Sequence, residues 1–129
     1  MDSLEEIERA ATLNTSSDLA RYLQDHLGQQ LSAYVTGLND PKMVGRWASG
    51  SVRPRFRAQL RLRTAYHVTR ILVEAFDDQA AQGWMVSTKS ALDEEAPGWV
   101  LRHAADPGAL RLLVPLAKEF AEGDLGGGS

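Results

Sequence analysis

Apolar positions recur three and four residues apart along most of the chain and nowhere alternate over a sustained run, so the pattern predicts helices and no sheet. Leu19, Tyr22, Leu23 and Leu27 form one stripe behind Ser16, Ser17 and Asp18, whose side chains suit the free amides of a first turn, which predicts a helix over roughly 17–27. Gly28 interrupts it. Leu31, Tyr34, Val35 and Leu38 then mark a second, short helix before the turn residues Gly37, Asn39 and Asp40. Asp40-Pro41 is a start signal, because the carboxylate accepts an orphan amide and proline needs no donor at a first helical position. A third helix follows through Val44, Trp47 and Ala48 to Gly50. Val52 to Arg57, with Pro54 and alternating arginines, reads as an extended connector into a longer fourth helix carrying Leu62, Ala65, Thr69, Leu72 and Phe76.

Downstream, Gln79 to Met85, Thr88 to Leu92 and Gly98 to Ala104 read as short helices. Asp106-Pro107 repeats the cap-plus-proline signal ahead of Leu110, Leu113, Ala117 and Phe120. Pro115 removes one helical hydrogen bond and presses on the carbonyl of Arg111, so the last helix must kink or restart there. The expected class is all-α. Residues 1–15 form a separate segment whose modest stripe of Leu4, Ile7, Ala11 and Leu13 suits dimerisation or local packing. A first helical module spans 16–76, a smaller helical region 77–122, and the glycine-rich tail 123–129, a flexible natural end or an artificial linker, cannot bury a core.

A length of 129 residues with 43% hydrophobic content is that of one ordinary domain. The absence of cysteine excludes disulfides, thiolate nucleophiles and cysteine-based zinc sites. The first ten residues carry four acids, and no apolar stretch approaches the ~20 residues needed to span a bilayer. Neither secretion nor membrane insertion is expected, and a cytoplasmic location follows.

Charge changes the picture more than composition does. The net charge is -3, yet residues 1–40 hold seven acids and two bases, and residues 74–129 hold ten acids and four bases. Between them, Lys42, Arg46, Arg53, Arg55, Arg57, Arg61, Arg63 and Arg70 stand without a single acid. Local rather than net charge sets the field that a polyanion meets, so this block has the footprint of a phosphate-binding face. A solvated face paired to the acidic flanks would produce the same count, and charge alone leaves both readings open.

The second and third helices resemble a helix-turn-helix. Ala33 and Gly37 lie four apart and let two helices approach, while Val44 and Trp47 seat the next helix. The interval from Gly37 to Val44 is one residue longer than the tight turn needs, with Asn39, Asp40 and Pro41 filling it. A small helical bundle can show such spacing by chance. Added to the basic block, however, it places Lys42, Arg46 and Ser49 on the exposed side of the third helix and Arg53, Arg55 and Arg57 just beyond it. Cations on a recognition helix reach guanine edges or phosphates, and those past its end suit the backbone.

Catalytic signals are sparse. His26, His67 and His103 lack metal-ligand spacing, and Asp77-Asp78 and Asp93-Glu94-Glu95 fall where carboxylates favour helix starts and turns. No phosphate loop, dinucleotide fingerprint or serine elbow is present in the sequence. Neither an enzyme nor a cofactor or metal is expected.

Read together with the helix-turn-helix, the C-terminal third is similar to the Xre/MbcA/ParS-like antitoxins. The carrying residues are Gly83-Trp84-Met85-Val86-Ser87-Thr88-Lys89-Ser90-Ala91-Leu92, then Pro97, then Val100-Leu101, and the likeness extends over roughly Leu19 to Phe120. The turn spacing and Pro115 depart from the family's pattern. The resemblance implies a partner toxin of the RES-domain kind, which degrades NAD and is silenced when the antitoxin's C-terminal region covers its active-site entrance. Autoregulation at operator DNA, alone or in complex with the toxin, is expected with it, and a homodimer is expected because helix-turn-helix proteins usually read two half-sites by symmetry; a toxin–antitoxin hetero-oligomer is the other assembly. Trp84, Met85, Leu92, Pro97, Trp99, Leu101 and Phe120 would then supply apolar toxin contacts, with Arg102, Arg111 and Lys118 at a polar rim. Ordinary core packing is the competing reading for each of the large apolar residues. A stand-alone helix-turn-helix repressor and a protein-interaction module that has lost DNA contact remain alternatives. On the two-part reading, a chain ending after Ala105 is expected to keep a folded, DNA-competent module.

Overall fold

The computed structural model describes residues 4–7, 9 and 15–125, and these form helices with no named strand among them. The chain is all-α. Helix α1 spans Ser16–Leu27 and begins one residue earlier than the stripe suggests, because the Thr15 hydroxyl, and not Ser16 or Ser17, accepts the Asp18 amide at 3.2 Å. Its buried residues are Leu19, Ala20, Leu23 and Leu27. Gly28, at φ 85, is the single residue between α1 and α2 (Gln29–Thr36). Helix α2 stops at Gly37, whose left-handed φ of 84 lets Leu38 N–H turn back to the Ala33 carbonyl at 2.8 Å.

Helix α3 covers Lys42–Ser49, and the expected Asp40 cap is present, its carboxylate accepting the Lys42 amide at 3.0 Å. Val44, Trp47 and Ala48 face inward. Ser17 and Arg21 of α1 both donate to the Ala48 carbonyl, at 2.6 and 3.0 Å, so α3 is tied to α1 at its C-terminal end. The connector is shorter than its composition suggests. Arg57 lies inside α4 (Phe56–Ala75), the 20-residue central helix against which α1, α2, α5, α6, α7 and α8 all pack.

The C-terminal part contains α5 (Asp78–Val86), α6 (Pro97–His103), α7 (Pro107–Arg111) and α8 (Leu113–Leu125). Asp77 and Asp106 are the N-caps, accepting the Ala80 and Ala109 amides at 2.8 and 3.0 Å. Thr88 to Leu92 is not the helix its composition suggests: only Ser90–Leu92 forms a single 3-10 turn. Asp93 and Glu94 then take positive φ values of 55 and 66, and the loop closes through Lys89 N–H to the Glu95 carbonyl at 3.0 Å. The Pro115 problem is solved by a restart. Helix α7 ends at Arg111, the carbonyl that proline would crowd, and Pro115 becomes the third residue of α8.

Residues on both sides of the boundary near Phe76 share one core. Leu19, Leu23, Leu62 and Leu72 belong to the same buried cluster as Trp84, Met85, Leu101, Leu110, Leu113 and Ala117. Of the N-terminal stripe, Ile7 is buried and Leu4 packs on this cluster, while Ala11 and Leu13 lie outside the described residues. The last glycines of the tail lie outside them as well. No helix among the described residues is long and apolar enough to cross a membrane.

Candidate nucleic-acid interface

The amphipathic cut through α3 is sharp: Lys42, Arg46 and Ser49 are exposed on one side, and Val44, Trp47 and Ala48 are buried on the other. Gly50, at φ 81, ends the helix, and the amides of Ser51 and Val52 return to the Arg46 carbonyl. The connector that follows is pinned. Pro54 is buried between exposed neighbours, and Gln59 of α4 donates its side-chain amide to the Pro54 carbonyl at 2.9 Å. Arg53, Arg55 and Arg57 therefore project from a held backbone into solvent.

The basic block divides into two groups. Lys42, Arg46, Arg53, Arg55, Arg57 and Arg63 are exposed, and none of their side chains forms an ion pair or hydrogen bond with any described residue. Arg63 was not among the sequence-based candidates, although it follows Phe56 by two helical turns and so shares its stripe of α4. The other two bases are structural. Arg70 reaches Glu74 and the Tyr66 hydroxyl, both at 2.7 Å, and these bonds, Glu74 first, hold its guanidinium above the ordinary arginine range. Arg61 donates Nε to the Leu101 carbonyl at 2.7 Å and Nη2 to the Ala104 carbonyl at 3.0 Å, closing the C-terminal end of α6. Burial, then the charges of Arg57 and Arg102, push its guanidinium below the ordinary range.

Arg102 is the mirror of Arg61. Its Nη1 donates to the carbonyls of Tyr34 and Leu38, both at 3.0 Å, its Nη2 to Asn39 Oδ1 at 2.9 Å, and its guanidinium lies 5.0 Å from the Tyr34 ring centroid. The extra residue in the α2–α3 turn is thus held by an arginine from α6. Arg102, expected at a polar rim, is half-buried and directs these donors to the end of α2 and the turn after it.

Burial likewise redistributes the expected toxin contacts. Trp84 (3% exposed), Met85, Leu92, Pro97 and Leu101 are buried, so in this structure they are core and present little free surface. Gly98 explains the tight seat of α6: a Cβ there would come within 2.8 Å of the Met85 carbonyl. Lys118 is half-buried near Glu74 and Glu122. Trp99 (41% exposed), Arg111 and Phe120 (42% exposed) remain accessible. Even these are partly occupied, Trp99 by the His103 ring at 4.4 Å and Phe120 by Phe76 at 5.6 Å. Lys89 lies between the Trp84 and Phe120 rings, at 5.6 and 5.4 Å from their centroids, and burial lowers its ammonium below the usual lysine range.

Two of the histidines are tied into the fold, His103 through Nδ1 at 3.0 Å from the Trp99 carbonyl oxygen. His26 Nδ1 and Asp78 Oδ1 are 2.7 Å apart, joining α1 to α5, and the His26 ring packs on Tyr22. Among the described residues, no group of three or more His, Asp or Glu side chains is arranged to hold a metal ion. Compared with family models, with curated proteins and with solved structures, the chain matches none.

Proposed function

We propose that the chain binds duplex DNA through α3 and the connector after it, with α2, the turn and α3 serving as a helix-turn-helix. The observation that carries this is the set of six exposed cations between Lys42 and Arg63 that have no described partner. A structural cluster would consume its charges internally, as Arg61 and Arg70 do. Lys42, Arg46 and Ser49 would face the groove, and Arg53, Arg55 and Arg57 the phosphates. With about six such contacts, affinity falls by orders of magnitude between low and moderate salt. The test is a gel-shift titration of R46A/R53A, in which weaker DNA binding is expected and unchanged affinity would refute the assignment.

The biological role that fits the family resemblance is an antitoxin that neutralises an NAD-degrading RES-domain toxin by covering its active site and represses its own operon. Trp99, Arg111 and Phe120 are the accessible members of the proposed toxin surface. Co-purification with the protein encoded next door, followed by its NAD consumption with and without this chain, tests that role. One observation favours the plainer reading of a stand-alone repressor: half of the proposed toxin contacts are buried, and Arg102 braces the α2–α3 turn. No complex, or a complex with undiminished NAD loss, would select it.

A further inference from the structure

Phe56 is the most exposed large apolar side chain among the described residues, at 78%. Its position is not that of a frayed end. It is the first residue of the 20-residue α4, two residues after the buried Pro54 and three before Gln59, which bonds back to the Pro54 carbonyl. An aromatic ring is therefore presented on a fixed backbone with Arg55 and Arg57 on either side and Arg53 just upstream, all exposed. A single exposed apolar side chain is ordinary on a protein surface, but a ring held on a fixed backbone among cations offers apolar area that a ligand gains by covering. The flanking charges select what that is. A second copy of the same basic face would bring arginines against arginines, and an apolar protein partner would have to desolvate them. A nucleic-acid backbone alternates phosphates, which arginines neutralise, with deoxyribose rings, whose faces are apolar.

We propose that Phe56 is a DNA contact in its own right, packing on deoxyribose at the rim of the groove that α3 enters while Arg55 and Arg57 hold the adjacent phosphates. The inference rests on the DNA-binding reading above and adds an apolar contact to its cationic ones. Because every nucleotide carries the same sugar, the contact strengthens binding without selecting sequence. Because the ring carries no charge, it releases no counterion. These two properties separate Phe56 from its neighbours.

The experiment measures fluorescence anisotropy of a labelled, mixed-sequence duplex of roughly three helical turns with the full chain across a salt series. F56A is expected to bind about tenfold more weakly at every salt concentration, the loss that follows when roughly half of a phenylalanine's burial is forgone. The slope of log K against log salt should stay at the parent value. R55A should instead lower that slope by about one. F56W, which keeps a ring, should restore affinity, and the unfolding midpoint of F56A should stay close to the parent's because most of the side chain is exposed. F56A within about twofold of a salt-sensitive parent would overturn the inference alone. So would a loss of self-association in F56A, seen by sedimentation, which would make the ring a contact between copies. A parent without salt-sensitive affinity would overturn the DNA-binding reading itself.

Discussion

Arg57 and Arg61 are one helical turn apart on α4, yet Arg57 stands in solvent without a described partner while both Nε and Nη2 of Arg61 are committed to carbonyls of α6. The same contrast separates the connector from the seam between α2 and α6, where Arg102 serves one acceptor in the last turn of α2 and two in the α2–α3 turn. Arginines in the first group can act on something outside the molecule, whereas those in the second complete the helix ends that neighbouring helices leave open. Exposure and hydrogen-bond partners separate the two groups, and residue type and sequence proximity do not. The seam also explains why the α2–α3 turn tolerates its additional residue: the charge that stabilises it comes from sixty-odd residues away.

The comparison breaks most severely if the C-terminal helices are removed. A chain ending after Ala105 loses Leu110, Leu113 and Ala117 from the common core, and α8 is a major neighbour of α4. With each buried leucine worth roughly 2–5 kcal/mol, the remainder is expected to lose cooperative unfolding. This reverses the expectation of a separable DNA-competent module. A thermal melt of the truncated chain by circular dichroism with the parent's midpoint would show the helices to be dispensable.

The next largest effect distinguishes the two arginine groups directly. R102A should cost about 2 kcal/mol of stability, since one guanidinium serves two backbone carbonyls and an amide oxygen. R102K should recover little of it, because a single ammonium cannot reproduce the fork. R55A should leave the denaturant midpoint in place. Equal midpoints for R102A and R55A would erase the distinction. The smallest expected change is at Lys89. Replacing it with methionine removes its attraction to the Trp84 and Phe120 rings but also the burial of an ammonium, so the two should nearly cancel, within about 1 kcal/mol. A loss of several kcal/mol in denaturant melts would mean that Lys89 clamps α8 to α5.

Sequence alone determined the helices whose causes are local. The stripes of α1, α3 and α4 appear where periodicity places them, Asp40 and Asp106 cap the helices they precede, and the inner and outer faces of α3 divide as their residues imply. The concentration of bases between residues 41 and 73 is equally plain in the sequence. Each of these follows from groups within one or two turns of each other. Tertiary structure decided what depended on distant partners. It buried Trp84, Met85 and Leu101, which as a string of apolar residues suit a core or an interface equally well. It reduced Thr88 to Leu92 to one turn, because the Lys89 to Glu95 pairing closes the loop more tightly than a helix allows. It also withdrew Arg61 and Arg70 from the basic surface and left Phe56 on it, since only packing reveals which charges find partners within the chain and which aromatic ring stays largely exposed.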